Sequence, residues 1–422
     1  MNKTKILILA LGDILLLYAS LFLTMVLRYG TDSFNLPLAN HIQPFSLIFV
    51  FWLLIFYLAD LYKSKNLKID PDVLRKFALS LAAAIVGSII LFYLFPTIFN
   101  LTPKTNLIIL AVVFGVLDLG LRFSLAKIFI AGGLKTRIAF IGESPAINEL
   151  IATLKNNPQL GYEVISNIKD ADMVVVKPDI KDDPKFTEIF YGLLASRVAI
   201  VDSIGFYEII FQKLPLDEIE GGWFVEKIAT RRKLYDFIKR ITDIVLSLAL
   251  GIIFLPFFAV IALLTKLSSR QGPIIYKQER VGLNDKNFIL YKFGVMKEDN
   301  GALATAKNDG RLTFLGKILN RTHLNEIPQF YNILKGNMSF IGPRAESHDL
   351  VKIYRQIPHY ELRHMIKPGL TGWAQVNYKP SASVEEAKEK LKYDVYYIKN
   401  RSLVLDFLIL LKTIKYFFFS GQ

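Results

Sequence analysis

Lys277, Arg280, Lys292, Arg311, Arg321, Arg344, Arg363 and Lys367 all fall within residues 273–378, a polar stretch with scattered glycines. Guanidinium forks match phosphate oxygens two at a time, so such cations around a central carboxylate suit phosphoryl transfer. Glu326 stands among them, next to Asn325. The same cations would also make a basic face resting on anionic lipid, worth about 1 kcal/mol for each cation near the surface. Both readings hold at once if the substrate is itself a lipid phosphate.

Other chemistries find little support. The chain has no cysteine, which removes disulfide frameworks, thiolate metal sites and cysteine nucleophiles together. His41, His323, His348, His359 and His364 show no H-E-x-x-H pair and no zinc-ligand spacing. Neither a phosphate-binding G-x-x-x-x-G-K-S/T loop nor a G-x-S-x-G elbow occurs. The net charge of +14 suits a polyanionic partner: nucleic acid, anionic lipid or a phosphorylated substrate. Apolar segments elsewhere in the chain favour the last two and argue against nucleic acid.

Those segments are what must hold the basic region at a membrane. Hydrophobic residues make up 52% of the 422, and the mean hydropathy of +0.36 is too high for an ordinary soluble domain. Residues 6–26, 45–61, 77–95 and 107–130 each form an apolar run of about the length that crosses a bilayer. Lys3 and Lys5 precede the first run with no small-residue cleavage site after it, so it reads as a span rather than a removable signal. Loops 63–76 and 127–137 are rich in Lys and Arg, whereas 29–43 and 96–105 are nearly free of them. The positive-inside rule then puts both ends of the bundle in the cytoplasm. Asp13 and Asp118 lie inside apolar runs, where an acid is either functional or tied into an interhelical hydrogen bond.

From Arg137 the pattern changes to alternating strands and helices. Residues 137–142 (RIAFIG), 171–177 (ADMVVVK) and 197–202 (RVAIVD) read as buried strands, and 146–155 as a helix, which predicts a parallel sheet. The turn after the first strand, Gly142-Glu143-Ser144-Pro145, has one glycine of the dinucleotide fingerprint. Without the second glycine, backbone cannot approach a pyrophosphate closely, so a structural or regulatory role fits better than nucleotide binding. Residues 234–266 are again hydrophobic, led by Lys239, Arg240 and Asp243 and interrupted by Pro256. Proline removes a helical amide hydrogen bond and crowds the preceding turn. The segment is either a kinked span or a helix that breaks and returns to the side it entered from. The polar region beyond it reads as short helices and loops on the membrane face.

The ordered series KRITD (239–243), YKQERVG (276–282), YKF (291–293), KNDGRLTFLGKIL (307–319), NEIPQFYNILKGNMSFIGPR (325–344), KPGLTGWAQVNY (367–378) and YDVYYI (393–398) resembles the bacterial sugar transferase family. These are the monotopic phosphoglycosyl transferases that begin capsule, O-antigen or exopolysaccharide assembly. The preceding runs and α/β segment resemble its large-form members, so the likeness covers nearly the whole chain. It implies a membrane α-helical bundle at 1–133, a degenerate Rossmann-like α/β domain at 134–226, and a mainly α catalytic domain at 227–422. Within the last, a re-entrant helix at about 234–267 would break at Pro256. It further implies a multi-pass protein of the bacterial inner membrane with a cytoplasmic catalytic domain, and a homodimer. The implied reaction is Mg²⁺-dependent transfer of a sugar 1-phosphate from a UDP-sugar to undecaprenyl phosphate through a covalent phosphosugar enzyme. Matched onto this chain, the catalytic positions are Lys292, Asn325 and Glu326, with Glu326 also on the metal. Arg280, Arg311, Arg321, Arg344 and Gln375 are the substrate-binding positions.

The family pattern has Asp-Glu where this chain has Asn325-Glu326, and a neutral amide cannot act as a carboxylate nucleophile. Gly294 and Asn320 stand where arginines are expected, with Arg321 adjacent, and Ala345 replaces a proline. Three explanations are open: an engineered Asn325, a natural branch using Glu326 or another acid such as Asp309, or an impaired homologue that binds lipid phosphate or scaffolds an assembly. A transporter of a phosphorylated solute is less well served, since four runs and an interrupted fifth leave little room for paired repeats.

Overall fold

The computed structural model describes residues 2–62, 71–99, 104–130, 135–180, 186, 191–193, 198–228, 232–268, 272–294, 313–378 and 383–419. Its contacts divide the chain into two compact units, Met1–Ser203 and Ile204–Gln422.

The first unit opens with helices α1 (Asn2–Tyr29), α2 (Asn35–Leu58), α3 (Pro71–Leu94), the single turn α4 (Pro96–Phe99) and α5 (Lys104–Ile130). α1, α2, α3 and α5 are each long and apolar enough to cross a membrane, in accord with the four runs read from sequence. α2 begins well before the apolar run that starts at residue 45, and Pro44 lies inside it. Its polar first turns are accommodated because His41 bonds the Pro37 carbonyl through Nδ1 (2.6 Å) and lies 2.8 Å from Asn106 Nδ2 through Nε2. The bundle core is aromatic: Phe56 stacks on Phe114 with centroids 5.8 Å apart, and Trp52 donates its indole N–H to Ser88 Oγ at 2.8 Å.

Asp13 and Asp118 are both fully buried in this bundle and share one arginine. Arg122 reaches Asp13 through Nη2 and Asp118 through Nε, each at 2.8 Å. Its Nη1 donates to the Leu61 carbonyl at 3.2 Å, and the Tyr62 hydroxyl donates to Asp13 at 2.7 Å. A charge in an apolar interior survives only when paired. These acids are therefore joined in an interhelical ion cluster that ties α1 to α5 and to the end of α2.

The rest of the unit is a parallel four-stranded sheet of order β2-β1-β3-β4, with β1 Thr136–Ile141, β2 Tyr162–Val164, β3 Met173–Val176 and β4 Ala199–Asp202. Three of these strands are the ones the sequence predicts. β2 is only three residues long and too short to leave a hydrophobic pattern. α6 (Pro145–Asn156) follows β1, and the Ser144 hydroxyl accepts from the Ile147 amide at 3.2 Å. Ser144 thus caps the helix end at which a dinucleotide pyrophosphate would otherwise sit.

The second unit begins with α7 (Ser203–Phe211) and α8 (Gly221–Ile228). Ile204, Leu214, Leu216 and Phe224 pack into one core with Val351, Tyr360, Leu391 and Val395. The 36-residue α9 (Lys233–Ser268) follows, a fifth helix apolar enough to cross a membrane. Its KRITD residues are anchors. Arg240 donates to the Ile333 and Leu334 carbonyls (2.6 and 2.7 Å), Asp243 accepts from the Phe340 amide and Ser339 hydroxyl (3.0 Å each), and Lys239 pairs with Asp406 at 2.8 Å. Further along, Phe254, Phe258, Ile261 and Ala262 pack on Phe293, Leu319 and Ile327. The break expected at Pro256 is absent, since helix runs through that residue without interruption, and Leu248, Ile252, Leu255, Val260 and Leu263 are exposed.

Beyond α9 lie an antiparallel hairpin, β5 (Ile275–Val281) and β6 (Asn287–Phe293), then α10 (Phe314–Arg321), α11 (Gln329–Lys335), β7 (Ser339–Ile341) and α12 (His348–Tyr354). β8 (Gly369–Thr371) pairs in parallel with β7, and α13 (Trp373–Asn377), α14 (Val384–Asn400) and α15 (Leu403–Phe419) complete the chain.

Candidate active site

Three short elements bring Lys292, Glu326 and Arg344 together. Lys292 stands on β6 opposite Tyr276 of β5. The fully buried Asn332 of α11 pins that strand, donating to the Ile289 carbonyl (2.6 Å) and accepting from the Tyr291 amide (3.1 Å). Glu326 ends a single 3-10 turn, Leu324–Glu326, which the chain enters through His323 in the left-handed region at φ 55°. Arg344 follows β7 and bridges to Gly369. A Cβ on Gly369 would lie 2.1 Å from the Gly342 amide nitrogen, so the two backbones meet where no side chain fits.

The Glu326 Oε1 atom lies 3.7 Å from Lys292 Nζ and 3.6 Å from Arg344 Nη2. Burial alone would raise the Glu326 carboxyl, but Arg344, Lys292 and His323 outweigh it and hold it below the usual glutamate range. Burial pushes Lys292 down to about 8; Glu326 resists that shift, while Arg344 and Arg280 add to it. The cluster is thus an ionised carboxylate flanked by two cations, one of which titrates just above neutrality.

Asn325 is also buried. Its Nδ2 donates to Asn320 Oδ1 at 2.7 Å, and its own Oδ1 has no hydrogen-bond partner among the described residues. The Arg280 guanidinium donates to the Ala345 carbonyl (3.0 Å) and to Gln278 (2.7 Å) and faces Glu346 at 4.0 Å. It thereby supports the Arg344 loop, and its charge also acts on Lys292. Arg321 is exposed at the end of α10 and makes no ion pair among the described residues. Gln375 donates to the Leu370 carbonyl at 3.1 Å, and its buried Oε1 has no hydrogen-bond partner among the described residues. Arg311 and Asp309 lie outside the described residues.

The structure adds a buried network that charge counting did not single out. Arg363 Nη2 donates to the Arg344 carbonyl at 2.9 Å and meets Asp394 at 3.0 Å, while Nη1 meets Tyr360 Oη at 2.7 Å and Glu346 at 3.8 Å. Lys390 lies 3.7 Å from Glu346. Arg363 and Arg280 thereby fix the 344–346 loop by its carbonyls. Beside the site, an apolar cavity of about 310 Å³ is lined by Ser247, Phe254 and Phe258 of α9 together with Tyr291, Ile327 and Tyr331. Tyr291 and Ile327 are the chain neighbours of Lys292 and Glu326, which do not themselves line it.

The model of the family described as bacterial sugar transferase matches residues 234–420, which hold all of this machinery. A UDP-N-acetylgalactosamine-undecaprenyl-phosphate N-acetylgalactosaminephosphotransferase of Aeromonas hydrophila is 42% identical over 186 residues, 43% of this chain and 44% of that protein. A UDP-glucose:undecaprenyl-phosphate glucose-1-phosphate transferase of Escherichia coli K12 is 31% identical over 314 residues, 66% of this chain and 67% of that protein. An exopolysaccharide production protein of Rhizobium leguminosarum is 38% identical over 187 residues, which cover 93% of its length and 42% of this chain. With α9, the β5–β6 hairpin and the Arg344 loop all inside the matched region, the chain belongs to the bacterial sugar transferase family.

Proposed function

We propose that the protein moves a sugar 1-phosphate from a UDP-sugar to undecaprenyl phosphate, the opening step of an exopolysaccharide, capsule or O-antigen chain. The observation that carries this reading is the Lys292–Glu326–Arg344 cluster, on elements whose neighbouring residues Tyr291 and Ile327 line an apolar cavity walled by α9. Cations suit a diphosphate, and a greasy wall beside them suits a phosphate that arrives on a lipid. The names of the relatives point to the same pair of substrates.

In this reading four helices cross the inner membrane, the catalytic unit is cytoplasmic, and α9 is re-entrant. Contacts support the last point. α9 meets its own unit from Arg240 to Ile261, on both sides of Pro256, so a straight crossing would draw polar domain surface into lipid. The parallel sheet of the first unit is read as a Rossmann-like domain that has given up nucleotide binding.

The site also fits Mg²⁺. Glu326 offers a carboxylate and Asn325 an amide oxygen without a partner among the described residues, and this ion is commonly held by one or two protein oxygens plus substrate phosphates. When bound it would neutralise diphosphate charge; Lys292 and Arg344 orient the phosphates and share that task. Full-length protein in detergent, given Mg²⁺, undecaprenyl phosphate and a panel of UDP-sugars, should release UMP with at least one. Asn325 favours a second reading, a lipid-phosphate-binding protein without turnover, and absence of UMP release across the panel would establish it instead. A pH dependence follows from Lys292. Its cationic form prevails below about 8, so kcat/KM should fall as pH rises through that value. Lys292→Arg, which stays charged, should remove the alkaline limb; a limb left in place would assign it elsewhere.

A further inference from the structure

Residues 204–228 precede the region that the family model matches, which starts at residue 234, yet they are built into the same compact unit. Leu214, Leu216 and Phe224 bury against Val351, Leu391 and Val395. The Leu214 amide donates to the Lys392 carbonyl at 3.2 Å, Lys213 pairs with Glu389 at 2.6 Å, and Glu208 of α7 pairs with Lys399. The segment is thus clasped along α14. One bond leaves this clasp and runs toward the site: the Trp373 indole N–H donates to the Gln212 carbonyl at 2.9 Å.

Both partners are held for that bond. α7 ends at Phe211, and Gln212 follows in the left-handed region at φ 55°, which residues bearing a side chain seldom adopt. A disfavoured backbone that persists marks a place where something depends on it. Here it takes the chain off α7 while the Gln212 carbonyl accepts from Trp373. The indole is buried, stacks on Tyr396 with centroids 5.7 Å apart, and lies under the Lys412 ammonium at 4.0 Å. A buried N–H without an acceptor is costly, so the bond fixes where the ring sits.

From Trp373 the path to Arg344 is backbone throughout. At Gly372, the preceding residue, a Cβ would stand 2.2 Å from the Gly342 carbonyl oxygen. The Gly342 amide donates to the Thr371 carbonyl and the Gly369 amide to the Pro343 carbonyl, each at 2.9 Å. Residues 369–372 therefore lie directly on 342–343, and Arg344 comes next. Its side chain is 39% exposed and 3.6 Å from Glu326, so packing alone does not aim it; its backbone does.

We propose that Trp373, held by the Gln212 carbonyl, is a positioning residue for Arg344, and that the 204–228 segment is thereby a working part of the active site. The segment sets the ring, the ring sets the 369–372 backbone, and that backbone sets the residue whose guanidinium faces Glu326. A displacement of about 1 Å in such a group is enough to slow phosphoryl transfer by an order of magnitude or more.

The kinetic arm of the test rests on the transferase reading; the hydrogen-exchange arm does not. Full-length protein in nanodiscs is compared with Trp373→Phe, which keeps an aromatic ring and loses the N–H, and with Gln212→Val, whose β-branch opposes a positive φ. Amide exchange within residues 340–346 should quicken at least about fivefold in both variants, while exchange within α10 stays level. With Mg²⁺, undecaprenyl phosphate and the UDP-sugar the wild type uses, kcat should fall about 10-fold and KM for the UDP-sugar should move less than about twofold. On an Arg344→Lys background the further loss from Trp373→Phe should shrink to less than about twofold, because both changes act through one group. Unchanged exchange at 340–346 overturns the proposal whatever the kinetics. So does a Trp373→Phe loss that multiplies in full with that of Arg344→Lys. A wild type that releases no UMP from any UDP-sugar removes the transferase reading, and the exchange comparison still decides whether Trp373 positions Arg344.

Discussion

Replacing Glu326 with glutamine should lower kcat for sugar-phosphate transfer by about 10³-fold while KM for the UDP-sugar stays level or falls. The carboxylate is the counter-charge of Lys292 and Arg344, at 3.7 and 3.6 Å. An amide of the same shape leaves both cations in place and raises the local positive charge, so ground-state binding of a diphosphate does not suffer. What is lost is the negative oxygen that would help hold Mg²⁺ and keep the two cations aimed at one point. Electrostatic groups acting on the transition state typically account for about 10²–10³ each, and one that also carries a metal should lie at the upper end. Steady-state kinetics over both substrates check this. A rise in KM at unchanged kcat would move Glu326 from the chemistry to substrate binding.

The second large effect is on stability. Arg363→Met should cost about 3–5 kcal/mol, the usual penalty for removing one partner of a buried charge network. It leaves Glu346 with Lys390 and the more distant Arg280, takes from Asp394 its arginine partner, and frees the Arg344 carbonyl. Burial by itself would raise the Glu346 carboxyl, but Arg363, Lys390, Arg344 and Arg280 together hold it below the ordinary value. A carboxyl depressed in the fold stabilises above its unfolded pKa and loses that contribution as pH falls through the folded one. The variant's deficit should therefore be larger at pH 8 than at pH 5, where the orphaned acids take up protons. Thermal midpoints in detergent at the two pH values give the comparison; an equal deficit at both would show that Arg363 acts by packing alone.

The sequence was informative where a short motif carries its own geometry. Lys292, Glu326 and Arg344 were legible because each sits in a turn or strand end framed by glycine, proline or aromatic residues, and the structure brings them together. Arg280 shows the limit. Charge marks it as a phosphate ligand, but its bonds to the Ala345 carbonyl and Gln278 depend on β5 pairing with β6, and Tyr276-Lys277-Gln278-Glu279-Arg280 shows no apolar alternation that would announce a strand. Gly294, Asn320 and Asn325 were readable as departures; that Asn325 bonds to Asn320, and that the Pro273 carbonyl oxygen lies 2.1 Å from where a Gly294 Cβ would stand, is tertiary information. Ile204–Ile228 offers a third case. Its short amphipathic elements show that they bury one face, but not that the face meets Val351 and Leu391 far along the chain.

Arg122 has a consequence for biogenesis. It lies 109 positions after Asp13, so a chain emerging from its N-terminus commits an acid to the apolar bundle long before its cation exists. Until α5 arrives, Asp13 has Tyr62 at most to bond, and such a carboxylate is costly in lipid. The last helix of the bundle brings the arginine that pairs with the acid of the first. Completion of the bundle is thereby a single chemical event, and nascent chains halted before α5 carry an acid without its cation, which distinguishes them from finished ones.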